Sequence, residues 1–255
     1  FTKYKYIFLT GHHSFFLACL FSAVLQAANF KGWEMVIIGG FLLGAWSAIS
    51  PAIGQRYTKR VTEDGGIAMG HFGSLGYYLS AWIAAKVGKA ENSFADTEIS
   101  EKWGFLRDTT VTTGIVMVVI YLVCSIVAGS AYISTITEQN MVIFSILTGL
   151  QFAVGVAIVY SGVRLILGDL VPAFQGISQK LIPNSIPAVD CAVFFTFSPT
   201  AVVIGFISSF IGGLVGMLML GGLGMALIIP GMVPHFFCGG TSGVFADKLG
   251  GKKGC

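Results

Sequence analysis

Long apolar runs separated by short polar breaks set the pattern of this chain. The first run, Ile7 to Ala28, is interrupted near its start by Gly11, His12, His13 and Ser14. A polar break from Asn29 to Glu34 leads into a second run, Met35 to Ile53, with Pro51 near its end. Runs of about 20 apolar residues match the hydrocarbon thickness of a bilayer. Gln55 to Gly66 is the most basic short loop, with Arg56, Lys59 and Arg60. Ile67 to Val87 is semi-apolar, rich in Gly and Ser, and holds His71. That pattern predicts a broken or re-entrant segment, tolerated at membrane depth only where protein or water covers the backbone. Lys86 to Asp108 mixes charges and predicts a surface helix or loop. Val111 to Ile133 and Met141 to Leu167 are the cleanest spans, and Gly168 to Asn184 reads as a surface helix ended by Pro183. Ile186 to Phe210 is expected to break at Pro199, and Ile211 to Met232 to form a glycine-rich span ending at Pro230. A last broken stretch, Pro234 to Gly251, is flanked by Lys248, Lys252 and Lys253.

Composition turns these runs into a class. Apolar residues make up 55% and charged residues 11% of the chain, against about 25% charged in an average globular protein. Mean hydropathy is +0.81. The prediction is an all-α integral membrane protein, a polytopic helical bundle with broken or re-entrant segments and a weak internal repeat. The 34 glycines suit helices that pack closely or break. The net charge of +3 is dispersed, with no basic stripe of the kind nucleic acid requires. Five cysteines show no CxxC spacing. The loop from Ser134 to Asn140 lacks Lys and Arg, so it is expected outside, with the loops at 55–66 and 86–108 on the cytoplasmic face. The chain opens on Phe1 and is expected to be an internal piece of a longer protein.

Few ionisable groups lie in the apolar parts: His12, His13, His71, Asp190 and His235. Asp190 opens a run free of charge and histidine up to Leu227. A carboxylate at membrane depth costs about 2.5–3.5 kcal/mol, so it calls for a partner or a task. A lone histidine at a helix end is commonly a packing residue, and that reading is kept for His13 and His235. His12, His71 and Asp190 each open a broken segment, which favours a shared role in binding a polyhydroxylated or weakly acidic solute. Phe15, Phe16, Phe72, Phe194 and Phe195 are the aromatics near them. Gln179, Ser178, Asn184 and Ser185 read as capping and turn residues. No HxxxH or HExxH spacing occurs, so neither a metal nor a cofactor is expected. No Walker loop, Rossmann fingerprint or Ser-His-Asp set is present either, and no catalytic residue is assigned. The stretches HHSFF and DCAVFF, each followed by a glycine-rich span and a histidine-bearing broken segment, suggest a repeat of the kind transporters use. The chain accordingly divides into 1–88 (first repeat), 89–167 (connector and two spans) and 168–255 (second repeat).

The motifs LTGHHSFF (9–16), VTEDGGIAMGH (61–71), SAWIAAKVG (80–88), AFQGISQKLIPNSIPAVDCAVFFTFSPTAVVIGF (173–206) and IIPGMVPHFFCGGTSGVFADKLGG (228–251) occur in this order. In them the chain resembles the membrane permease (IIC) component of the ascorbate-type phosphoenolpyruvate-dependent sugar phosphotransferase system. The resemblance implies a homodimeric permease in the bacterial cytoplasmic membrane, built on inverted repeats. It implies uptake of a sugar-like solute that a separate IIB subunit phosphorylates. It also implies that His12, His71 and Asp190 line the substrate site. Two positions depart: where the family has glutamines, this chain has Phe16 and Phe72. Losing two hydrogen-bonding amides predicts a changed substrate within an unchanged permease class. Two other classes compete. A proton-coupled secondary transporter would use Asp190 or a histidine as its proton site. An intramembrane enzyme would use His and Asp directly.

Overall fold

The computed structural model describes residues 5–63, 66–96, 105 and 108–255, apart from the side chains at 96, 109, 164, 167, 170, 177 and 179. Most of the second half of the expected mixed-charge stretch, part of the basic loop, and the Gln179 side chain therefore lie outside the described residues. Among the described residues the fold is helical with three very short strands, and it divides into two compact units. Four of the described helices are long and apolar enough to cross a membrane: Trp33–Thr62, Thr110–Ala128, Met141–Val163 and Pro199–Gly222.

The first unit comprises Phe1–Asp96 and Ile166–Cys255. In chain order it holds β1 (Tyr6–Phe8), α1 (Gly11–Ala27), α2 (Trp33–Thr62), β2 (Ala68–Met69) and α3 (Ser74–Val87). Its second stretch begins with a π-helical turn, Ile166–Leu170. The expected first span thus divides into β1 and a 17-residue helix. The second run does not stop near Pro51. Helix α2 forgoes the one hydrogen bond that Pro51 cannot donate and continues through the basic loop to Thr62. There the hydroxyls of Thr58 and Thr62 bond back to the carbonyls of Gly54 and Thr58.

The second unit, Thr97–Leu165, holds α4 (Thr109–Ala128), α5 (Ser130–Ile136) and α6 (Met141–Leu165). Asp108 caps α4 by accepting from Thr110 N at 2.8 Å and Val111 N at 3.1 Å. Helices α4 and α6 approach closely at Gly149, where an added Cβ would stand 2.6 Å from Val118 N. A buried Ser145–Ser125 hydroxyl bond of 3.0 Å ties the same pair. Gly129, with φ of 86°, turns the chain between α4 and α5.

The later part of the first unit runs through α7 (Val171–Leu181), β3 (Ile186–Val189), α8 (Cys191–Phe194), α9 (Pro199–Gly222), α10 (Met232–Pro234) and α11 (Gly240–Gly254). Helix α9 crosses the expected boundary at Phe210–Ile211 without a break and ends at Gly222, well before Pro230. The expected break of Ile186–Phe210 at Pro199 is present: the helical turns before it end at Phe197, and Pro199 occupies the first turn of α9, where its missing N–H is harmless. Glycines let α11 pack against its neighbours. A Cβ on Gly250 would stand 2.6 Å from the Ala84 carbonyl carbon in α3, and one on Gly205 would stand 2.8 Å from Gly243 Cα. Asp247 on α11 is fully buried. It accepts from Ser93 Oγ at 2.6 Å, Ser198 Oγ at 2.7 Å and Phe94 N at 2.8 Å, and so ties the segment after α3 to the start of α9.

Candidate functional site

The three strands form one parallel sheet in the order β1-β3-β2. Phe8 pairs with Ala188, which on its other side pairs with Ala68. Because the strands are parallel and in step, the residues just beyond their C-terminal ends come together. Those residues are His12 and His13 after β1, His71 after β2 and Asp190 after β3. Leu9 N donates to Ala188 O at 2.9 Å, Gly70 N to Val189 O at 2.8 Å, and Thr10 Oγ1 to Gly70 O at 2.5 Å. Each turn therefore stays locked to its neighbour as it leaves the sheet. Pro187 is tolerated in the central strand because its missing N–H points to the β2 side, where β2 pairs only from Ala188 onward.

Asp190 is the hub. It caps the short α8 by accepting from Cys191 N at 2.5 Å. His12 Nε2 lies 3.1 Å from Asp190 Oδ2, and His13 Nε2 lies 3.1 Å from Asp190 Oδ1. The two imidazoles thus hold one carboxylate oxygen each. The His12 side chain is 54% exposed, whereas His13 is buried. His71 is also buried, its ring centroid 3.9 Å from that of His13. Gly73 N donates to His71 Nδ1 at 2.8 Å, so that nitrogen is unprotonated and the neutral ring carries its proton on Nε2. The Tyr77 hydroxyl lies 2.9 Å from the same Nδ1 and fixes the ring further.

Two phenylalanines border this polar cluster. Phe72 stacks on His71 at 4.4 Å between centroids, and Phe16 meets Phe72 edge-on at 6.4 Å. Phe16 is 54% and Phe72 42% exposed. Helices α1 and α3 both start beside the cluster without a side-chain cap. Their first N–H groups and positive dipole ends favour a solute with partial or full negative charge. The arrangement offers carboxylate and imidazole hydrogen bonds to hydroxyl groups, with an apolar face from Phe16 and Phe72.

The structure brings His12, Phe16, His71, Phe72 and Asp190 together. His13, expected as a packing residue, joins them as a direct partner of Asp190. Phe194 and Phe195 are buried in the core. Phe194 packs against Phe245 at 5.6 Å and Phe195 against Phe237 at 5.9 Å, both within the core. His235 stands apart, its Nδ1 2.8 Å from Ser209 Oγ. The sequence does not single out His13 or Tyr77 as site residues, and the spacing of Gly70, Gly73 and Gly76 suits close helix packing as well as close approach of a solute. The adjacency of His13 to His12, and of Gly73 and Tyr77 to the GHF turn, is the signal that points to them. Ligand atoms of His12, His13 and Asp190, and separately of His71, Asp190 and Cys191, lie within 4.8 Å of one another.

The whole chain, residues 1–255, matches the family described as the PTS (phosphotransferase) system sugar-specific permease component. An ascorbate-specific PTS system EIIC component from Mycoplasma pneumoniae is 27% identical over 249 residues, a match covering 86% of this chain. The chain spans 38% of the length of that curated relative.

Proposed function

Because the chain belongs to the PTS sugar-specific permease component family, we propose that it carries a sugar or sugar acid across the membrane for phosphorylation by a separate IIB subunit. The membrane is the bacterial cytoplasmic membrane, and the working form is a homodimer. The observation that carries this reading is the grip of two histidines on Asp190 at the joint ends of three parallel strands, beside two exposed phenylalanines. Asp190 and His12 bond solute hydroxyls, His71 offers Nε2–H, and Phe16 and Phe72 cover the ring face. The stretches 1–88 and 168–255 act as two repeats of the substrate-binding core, with 89–167 as the connector and its two spans. The cargo is ascorbate-like in size and polarity. The two phenylalanines, standing where the family resemblance leads one to expect glutamines, shift it toward a solute with fewer hydroxyls on that side.

The deciding experiment is uptake of labelled sugars and sugar acids by cells expressing the protein with and without its IIB partner. Accumulation as the phosphate ester, lost when the partner is deleted, supports the reading. Partner-independent accumulation of unmodified solute overturns it. The His-Asp-His grouping also suits proton relays, which supports a second reading as a proton-coupled transporter. In that case a protonophore abolishes uptake while phosphoenolpyruvate remains plentiful.

A further inference from the structure

No metal-ligand spacing occurs in the sequence, yet the fold assembles a donor set from residues 177 positions apart. We infer that His12, His13 and Asp190 form a binding site for a borderline-soft divalent cation, with Zn²⁺ the best fit. Two imidazole nitrogens and a carboxylate are a common three-ligand set for zinc, which leaves a fourth position open. A tetrahedral ion with bonds of about 2.0–2.1 Å holds neighbouring donors about 3.3 Å apart. Each imidazole Nε2 stands 3.1 Å from a different oxygen of Asp190, and one ligand atom from each of the three residues lies within 4.8 Å of the others. His13 and Asp190 are held by packing and by the strand ends. His12 is more than half exposed and can swing to close the remaining gap. Binding through Oδ1, the oxygen that the buried His13 faces, therefore needs only the exposed His12 ring to move across from Oδ2.

The same geometry sets the strength. When Nε2 binds the ion, each neutral ring carries its proton on Nδ1. For His13 that nitrogen is buried and has no hydrogen-bond partner among the described residues. Metal-binding histidines usually donate this proton to an oriented acceptor, and its loss weakens binding by about 10–100-fold. The uncapped start of α1 adds a positive end nearby. The site therefore binds zinc reversibly and not as a permanent structural ion. An ion there also takes the carboxylate assigned to the solute, so it acts as an inhibitor; this last step rests on the proposed function, but the binding itself does not.

The test needs no sugar, so its failure and that of the transport reading are separable. Zinc chloride is titrated calorimetrically into the purified protein in detergent, and Co²⁺ is added separately as a spectroscopic probe of imidazole coordination. The expected result is saturable binding of one Zn²⁺ per chain and visible Co²⁺ bands. His12→Gln and His13→Gln should each weaken binding by at least the roughly 10–100-fold that loss of an outer-shell partner costs, since each removes a direct ligand. His235→Gln should leave it unchanged. The exposed His12→Gln carries the test if His13→Gln fails to fold. Absence of saturable binding, or binding that survives His12→Gln, overturns the inference. Loss of binding in Cys191→Ser with retention in His12→Gln also overturns it, since the ion would then sit on the His71, Asp190 and Cys191 set.

Discussion

Gly70→Ala places a methyl group between the strand that leads to His71 and the strand that leads to Asp190. The new Cβ would stand 2.6 Å from the carbonyl oxygen and 2.8 Å from the carbonyl carbon of Ala188. Ordinary contact begins at 3.4 Å, so β2 must withdraw from β3 by about 0.8 Å. The obstacle is backbone in the central strand and cannot rotate aside. Three links are stretched together: Gly70 N to Val189 O, Thr10 Oγ1 to Gly70 O, and the Ala68–Ala188 pairing. Overpacking of this kind costs about 1–3 kcal/mol. It also moves His71 relative to Asp190, and a misplacement of about 1 Å in a geometry-dependent site can cost about 100-fold in function. Gly70 does not have a positive φ, so space and not backbone strain is the cause. Gly76→Ala in α3 is the control, because nothing lies within 4 Å of its added Cβ. There alanine should stabilise by about 0.5–1 kcal/mol. Thermal unfolding in detergent and solute binding read both effects. A Gly70→Ala protein that melts and binds like the parent would refute the account of the strand ends, as would equal damage from Gly76→Ala.

Other perturbations probe the remaining elements. Asp247→Ala removes the acceptor of three hydrogen bonds at a fully buried position and should cost on the order of 3 kcal/mol or more, at about 1–3 kcal/mol for each buried donor left unpaired. Asp247→Asn keeps one acceptor and should cost less than half as much, with thermal unfolding as the measurement. Gly149→Ala should loosen α4 from α6 by about 1–3 kcal/mol, since its Cβ meets the Val118 backbone; crosslinking of cysteine pairs placed on the two helices reads the separation. The double change Phe16→Gln and Phe72→Gln should tighten ascorbate binding by about tenfold or more, at about 1.4 kcal/mol per tenfold, because it restores two amides at exposed positions beside the cluster. Unchanged ascorbate affinity would show that these positions do not select the solute.

His12, His71 and Asp190 are legible in the sequence because each is a polar residue opening an apolar segment, and such residues in a membrane chain require partners. The sheet that gathers them is not. Its strands are three, two and four residues long, below the length at which alternation can be recognised. Its central strand also contains Pro187, which argues against a strand wherever both edges are paired. The signal present is a recurring arrangement: a short apolar stretch, then within three residues a polar residue at or just before the start of a helix. It appears at Tyr6–Phe8, Ala68–Met69 and Ile186–Val189. His13 reads as a packing residue in the sequence because periodicity says nothing about a partner 177 residues away. The expected end of α2 near Pro51 and the expected end of the later span at Pro230 miss the observed ones because a proline in the sequence does not reveal its place relative to a helix: Pro51 lies inside α2, and α9 stops at Gly222, before Pro230.

The central claim is that Asp190, at the joint ends of the three strands, holds the solute. Calorimetric binding of a panel of sugar acids and neutral sugars to the parent protein, to Asp190→Asn and to Asp169→Asn tests it most directly. A charge-assisted hydrogen bond is worth about 1.5–3 kcal/mol, so Asp190→Asn should weaken the best ligand by about tenfold to 100-fold. Asp169→Asn, at an exposed acid in the turn before α7, should bind like the parent. Equal affinity in the parent and in Asp190→Asn would contradict the claim.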